Sequence, residues 1–221
     1  MADLEIVEAN RKHSLLYVAD PLCPWSYGFA PVFQRIREKY SNSIEFSLVL
    51  GGTQFGADAE TFSDELVEKL RYSWKEVERI TGRSFNYETL KRRDLRYDSE
   101  PACKAIISIQ RLRPEVTFDF LDAISLEFHA KGADPSEQKT FATLSESFGV
   151  PTDEFQEMYA RPETSLETLN DFQYGFSLGV TSFPALVFSD GFERGILSRG
   201  YLPFSEVDSM LGDYFRSIGK F

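Results

Sequence analysis

Residues 20–31 carry the most informative motif of this chain, Asp20-Pro21-Leu22-Cys23-Pro24-Trp25-Ser26-Tyr27-Gly28-Phe29-Ala30-Pro31. The motif follows an apolar run, residues 15–19, and opens an amphipathic run with helical spacing that extends to about Tyr40. This order predicts a strand that leads into a helix whose first turn carries a thiol. The unpaired N–H groups and the positive dipole end of a helix start favour thiolate over thiol. We therefore predict that Cys23 is a reactive thiolate.

The motif differs from the dithiol pattern C-x-x-C at its last position, where Ser26 stands. A serine hydroxyl cannot form a disulfide, so the motif offers Cys23 no partner thiol. The hydroxyl can donate a hydrogen bond to the Cys23 thiolate, which would lower the pKa of that thiol. Two origins of the serine stay open: a natural monothiol enzyme, or a substitution made to trap mixed disulfides.

Both ends of the chain have the periodicity of strands. Residues 44–50 alternate and end at Gly51-Gly52, which predicts a second strand and a turn near the active-site edge. Residues 185–188 and 193–201 predict two further strands joined by a turn, and residues 203–215 predict a closing helix.

The middle of the chain has apolar residues three and four positions apart, which predicts about five or six helices between residues 60 and 178. The order βαβ, helices, ββα indicates an α/β protein with a thioredoxin-like fold and an all-helical insertion. We predict a discontinuous thioredoxin-like domain, residues 12–55 plus 180–221, and a helical insertion domain, residues 60–178.

Charge and composition exclude several classes of protein. The chain of 221 residues has 24 basic and 35 acidic residues and a formal net charge of −11, which argues against nucleic acid or an anionic membrane as the main partner. The first twelve residues lack the apolar core of a secretory signal, and no apolar run reaches the roughly 20 residues of a membrane helix. With only two cysteines there is no disulfide framework, so we expect a cytoplasmic protein.

The chain resembles the DsbA-like branch of the thioredoxin superfamily, within it the soluble group of predicted protein disulfide isomerases. The resemblance rests on the motif at residues 20–31, on the helical insertion, and on Gly179-Val180-Thr181-Ser182-Phe183-Pro184-Ala185-Leu186-Val187-Phe188. It implies a cis peptide bond between Phe183 and Pro184, in a loop that faces Cys23 and offers backbone groups to an extended peptide or to glutathione. It also implies that Trp25 borders the thiol.

The leading hypothesis is a thiol–disulfide oxidoreductase or isomerase. Cys23 and Ser26 would be catalytic, and Pro24, Trp25, Phe183 and Pro184 would contact substrate. The substrates would be protein or peptide disulfides or glutathione, and an external thiol such as glutathione would resolve the mixed disulfide. We expect no tightly bound cofactor and no metal, and the sequence leaves the oligomeric state open.

Two other functions stay open. More distant relatives of the family suggest a glutathione-dependent transferase or isomerase, although those usually have serine where this chain has Cys23. A scaffold without its second cysteine could instead be a non-catalytic adaptor. For Cys103, a buried structural cysteine is the favoured interpretation, with a distant resolving thiol as the alternative. His13 and His129 lack neighbours at ligand spacing, so we assign neither to metal or catalysis.

Overall fold

A mixed four-stranded sheet organises the molecule, in a computed structural model that describes residues 13–219. The described strands are β1 (His13–Ala19), β2 (Ile44–Leu50), β3 (Glu60–Thr61), β4 (Arg96–Tyr97), β5 (Ala185–Ser189) and β6 (Arg194–Arg199). The sheet has the order β2-β1-β5-β6; β1 and β2 are parallel, and the other neighbours are antiparallel. β1 is central because its apolar residues can be buried on both faces of the sheet.

Eight α-helices lie within the described residues. They are α1 (Pro24–Tyr40), α2 (Asp64–Thr81), α3 (Ser99–Leu112), α4 (Thr117–Leu126), α5 (Gln138–Ser147), α6 (Thr152–Ala160), α7 (Pro162–Ser177) and α8 (Phe204–Ser217). Helix α1 makes the crossover that the parallel pair β1–β2 requires. Helices α2 to α7 lie between β2 and β5, which confirms the predicted order of strands and helices and the predicted number of helices. No described helix is both long and apolar enough to cross a membrane.

Helix α1 packs closely on α2 at Gly28. A Cβ atom at Gly28 would lie 2.6 Å from Cγ1 of Val77 on α2, so a larger residue would force the helices apart. On its apolar face, α1 buries Phe29, Phe33 and Ile36 in a core that continues into the helical segment. Packing on both the sheet and α2 fixes the start of α1, where the cysteine stands.

Two elements of the helical segment are not predicted from the sequence. β3 and β4 form a short antiparallel ribbon, and residues 127–131 form a π-helical turn after α4. Two-residue strands carry no periodicity, and a π turn differs from an α turn by one residue only.

The predicted domain ranges 12–55 and 180–221 include residues 12, 220 and 221, which lie outside the described part of the chain. The division into two domains stays a prediction.

Candidate active site

Cys23 stands at the N-cap position of α1, with Pro24 at the first helical position. The Sγ atom of Cys23 donates a hydrogen bond to the carbonyl oxygen of Phe183 at 3.4 Å. The peptide bond between Phe183 and Pro184 is cis, as the resemblance implies. The structure therefore brings together two segments that are 160 residues apart in sequence.

The environment of Cys23 favours the thiol. Burial, and after it the negative charge of Asp20, raise the pKa of Cys23 from its ordinary value to about 11. Hydrogen bonds from the backbone N–H groups of Ser26 and Trp25 and from the Ser26 hydroxyl lower the pKa, but their effect is smaller. The predicted thiolate stabilisers are thus present, but desolvation outweighs them, so the pKa of Cys23 lies above that of a free thiol.

Asp20 is a buried carboxylate that holds three segments together. Its Oδ1 accepts a hydrogen bond from the N–H of Leu22 at 2.8 Å. Its Oδ2 accepts one from the N–H of Thr53 at 2.6 Å and one from the hydroxyl of Ser99 on α3 at 2.9 Å. The sequence analysis missed this residue. A signal was available, because aspartate commonly accepts from the N–H two residues later in a turn.

We expect Asp20→Asn to lower the pKa of Cys23 by removing a neighbouring negative charge. Alkylation of Cys23 by iodoacetamide should then be about three to ten times faster at pH 8, since one pKa unit corresponds to tenfold more thiolate. In the wild type the rate should rise about tenfold per pH unit between pH 6 and 9, without a plateau, since the pKa of about 11 lies above that range.

The same substitution should lower the free energy of unfolding by about 1–3 kcal/mol, because the new amide N–H group faces the N–H of Thr53. Asp171→Asn is the matched control, since Asp171 is a partly buried carboxylate that accepts from the N–H of Leu50 at 2.9 Å. An unchanged pH profile of alkylation in Asp20→Asn would show that the carboxylate does not set the pKa of the thiol.

Ser26 and Trp25 have different neighbours. Ser26 is 3 % exposed, and its Oγ accepts from the N–H of Asp20 at 3.4 Å. The carbonyl oxygen of Ser26 accepts from the hydroxyl of Tyr17, also at 3.4 Å. Trp25 is half-buried and packs on Tyr201, with ring centroids 6.0 Å apart. Neither Pro24 nor Trp25 lines the cavity beside Cys23, so the structure places these two residues outside it.

A cavity of about 690 Å³ opens beside Cys23. One wall is the turn after β2, residues 51–53 with Phe55, and another is the loop at residues 180–183. Helix α7 forms the third wall with residues such as Phe172 and Phe176. Phe183 therefore lines the cavity together with Cys23, and the aromatic residues of α7 are site residues that the sequence analysis missed.

Gly51 supports the loop that faces the thiol. A Cβ atom at Gly51 would lie 2.1 Å from Cε1 of Phe183, so only glycine leaves room for that ring. The N–H of Gly51 donates to the carbonyl of Ala19 at 2.8 Å, which fixes the turn to the end of β1. The predicted turn therefore lies beside the cavity that Cys23 lines, and Gly51 also has a packing role there.

We expect Gly51→Ala to displace the Phe183 ring and the loop that carries it. The free energy of unfolding should fall by about 1–3 kcal/mol, as for other overpacked sites. The rate of mixed-disulfide formation at Cys23 should fall as well, which a mass shift after reaction with a small disulfide would report. Gly195→Ala on β6 is the control, because a Cβ atom there meets nothing within 4 Å. Equal rates in the two variants would contradict the supporting role of Gly51.

Cys103 lies on α3 and is fully buried. Its Sγ donates to the carbonyl of Gly51 at 3.6 Å, and burial raises its pKa well above that of a free thiol. It does not line the cavity, and both described cysteines are free thiols. These contacts fit the structural interpretation of Cys103.

The two histidines lie outside the cavity. Nε2 of His13 is 3.1 Å from the hydroxyl of Tyr214. His129 stacks on Tyr27 with centroids 4.8 Å apart, and burial lowers its pKa to about 3, so its ring is neutral at physiological pH. Among residues 13–219 no cluster of three or more histidine, cysteine or carboxylate side chains could hold a metal ion.

Comparisons with known proteins agree with this arrangement. The family model of DSBA-like thioredoxin domains matches residues 15–200. The structure of a candidate protein disulfide isomerase from Nitrosomonas europaea has a TM-score of 0.86 at 30% identity, covering 93% of this chain and 98% of that one. A comparison with curated proteins finds no match.

Two less similar structures share the fold. The cytosolic disulfide reductase DsbM from Pseudomonas aeruginosa, in a structure with GSH, has a TM-score of 0.75 at 19% identity, covering 92% of this chain and 99% of that one. A 2-hydroxychromene-2-carboxylate isomerase has a TM-score of 0.67 at 13% identity, covering 93% and 98%.

Proposed function

We propose that this chain, which belongs to the family of DSBA-like thioredoxin domains, exchanges thiols and disulfides through Cys23. The observation that carries the proposal is the contact of the Cys23 thiol with the Phe183 carbonyl at the edge of an open cavity. A thiol at a helix start, lining a cavity next to a cis-proline loop, can meet a substrate disulfide. Cys103 lacks that access.

The first step is attack of the deprotonated Cys23 on one sulfur of the substrate disulfide. The substrate S–S bond breaks, a new S–S bond joins Cys23 to the substrate, and the second substrate sulfur leaves as a thiolate that takes up a proton. The proton of Cys23 passes to solvent. Since the S–H group is then gone, the Phe183 carbonyl is free to accept an N–H from the backbone of the bound substrate.

The second step requires a thiol from outside the chain, because Ser26 cannot resolve the mixed disulfide. An external thiolate attacks Cys23, releases the substrate as a thiol and leaves Cys23 joined to the external group; a second external thiol restores Cys23. Two external thiols are oxidised and one substrate disulfide is reduced. We propose glutathione as this thiol, and a thiol of the substrate itself would give isomerisation instead.

The environment of Cys23 supports reduction or isomerisation over net oxidation. Strong oxidants of the thioredoxin superfamily have a stabilised reduced form, whereas burial and Asp20 raise the pKa of Cys23 to about 11. A thiolate of high pKa is a poor leaving group, so a disulfide on Cys23 persists until a thiol attacks it. A protein that depends on external thiols belongs in a reducing compartment, and we propose the cytoplasm.

Mass spectrometry of the reduced protein after reaction with a small disulfide tests the function. We expect one adduct, on Cys23 and not on Cys103, which is released stoichiometrically when excess glutathione is added. A protein that forms no adduct at Cys23, while its cellular role survives Cys23→Ala, would be an adaptor rather than an enzyme.

A further inference from the structure

Part of the lining of the cavity beside Cys23 is aromatic. Phe55 packs on Phe172 with ring centroids 4.6 Å apart. Gly52 allows this pair to approach the turn, because a Cβ atom at Gly52 would lie 2.8 Å from Phe55 and 3.1 Å from Phe172. At the cavity lies Phe176, an aromatic side chain that is 72 % exposed. The space beside the thiol therefore has an apolar wall and an exposed aromatic edge.

The described lining of the cavity carries no charged side chain. Its polar side chains are hydroxyls and one amide: Thr53, Thr181, Ser182 and Gln173, besides the thiol of Cys23. One cation, Arg199, lies beside the adjoining loop, with its Nη2 atom 3.9 Å from the position of a Cβ atom at Gly179, but it does not line the cavity. The whole chain has a net charge of −11.

These features do not suit glutathione as an occupant. Glutathione has two carboxylates and one ammonium group, and the cavity has no lysine, arginine or histidine to pair with a carboxylate. An acidic protein also repels an anionic ligand at long range. A neutral or basic peptide with an apolar side chain fits the cavity better. It brings no carboxylate that would need a cation in the cavity, the negative protein does not repel it, and its apolar side chain gains free energy from burial.

We infer that the cavity binds a large apolar side chain next to the reacting cysteine of the substrate, so that the preferred substrates are disulfides of proteins or peptides whose cysteine is flanked by an aromatic or large aliphatic residue. The inference rests on the proposed function, since Cys23 itself lines the cavity. A substrate sulfur bonded to Cys23 lies about 2.05 Å from Sγ, which brings its neighbouring residues to the aromatic wall. Glutathione then acts as the resolving thiol without a binding site of its own.

The experiment compares reagents that share one leaving group. Capped neutral peptides X-Cys-X, with X as Phe, Leu or Ser, are prepared as mixed disulfides with 5-thio-2-nitrobenzoate, and so is glutathione. Attack by Cys23 on the peptide sulfur forms the Cys23–peptide disulfide and releases the coloured thiolate, whose appearance gives the rate. Mass spectrometry confirms the adduct on Cys23.

We expect the Phe and Leu peptides to react about tenfold faster than the Ser peptide, with saturation, because burial of one such side chain contributes at least that factor in affinity. The glutathione reagent should react without saturation, within about threefold of the Ser peptide, because neither buries an apolar side chain. Phe176→Ala should reduce the ratio of Phe-peptide to Ser-peptide rates by about threefold or more. Phe192→Ala is the matched control, since Phe192 is 62 % exposed and does not line the cavity.

Equal rates for all four reagents would overturn the inference and leave the exchange function standing. A glutathione reaction that saturates and that Arg199→Gln weakens would overturn it as well, and would indicate a carboxylate site at Arg199. If no reagent released its coloured thiolate, the exchange function would fail and the inference with it. The outcomes thus separate the specificity of the cavity from the reactivity of the thiol.

Discussion

Replacing Cys23 by serine is expected to reduce thiol–disulfide exchange to the uncatalysed background. Cys23 is the thiol that lines the cavity, and a hydroxyl does not attack disulfides under these conditions. The fold should persist, because the serine hydroxyl can donate to the Phe183 carbonyl as the thiol does. Release of a coloured thiolate from an aromatic disulfide measures the activity, and thermal unfolding shows that the variant is folded.

Cys103→Ala is the matched control for Cys23→Ser. Cys103 is fully buried, so the change should cost about 1–2 kcal/mol of stability through the lost contacts, while the rate of exchange should stay near that of the wild type. Exchange that survived in Cys23→Ser and disappeared in Cys103→Ala would transfer the reaction to Cys103 and refute the proposed role of Cys23.

Replacing Ser26 by cysteine is expected to convert the protein into a dithiol enzyme. Residues 23 and 26 are three positions apart in the first turn of α1, which places their Cα atoms about 5 Å apart, within the range that a disulfide spans. Since position 26 is 3 % exposed, its thiol would be shielded from external reagents and would meet Cys23 first. The variant should form an internal disulfide and resolve its own mixed disulfides.

The measurement is a single reaction of the reduced protein with a protein disulfide such as that of insulin, without any external thiol, followed by mass spectrometry. We expect Ser26→Cys to release the reduced substrate and to end with an internal disulfide, whereas the wild type should remain joined to the substrate until a thiol is added. Ser26→Ala is the control: it should keep the external-thiol dependence and should alkylate at Cys23 more slowly, because the Ser26 hydroxyl lowers the pKa of Cys23. If both thiols of the motif stayed free after the Ser26→Cys protein was treated with an oxidant, the expected geometry would be contradicted.

Local patterns predicted the elements around the thiol well. Pro24 and the spacing of three and four residues that follows it define α1, and the alternation up to Leu50 defines β2 with the observed bounds. The cis bond before Pro184 followed from the family resemblance, since nothing in the sequence near it distinguishes cis from trans. These features depend on residues close together in the chain, or on a motif shared with relatives.

The chemistry of the site could not be predicted in the same way, because it depends on contacts between distant segments. The pKa of Cys23 depends first on burial, which a motif of twelve residues does not reveal. The partner of Asp20 on α3 is Ser99, 79 residues later. Phe172 and Phe176 are ordinary apolar positions of a helix in the sequence, and only the packing of α7 beside the turn at Gly52 makes them walls of a cavity.

The helical segment also completes the hydrogen bonding of the loop that precedes the thiol. Tyr97 on β4 donates its hydroxyl to the carbonyl of Leu22 at 2.6 Å, and Ser99 donates to Asp20. A shortened chain without residues 60–178 would leave this carbonyl, and one carboxylate oxygen of Asp20, without these donors. We therefore expect the loop before Cys23 to shift in such a shortened chain, because the segment between β2 and β5 supplies two of the donors that hold this loop in place.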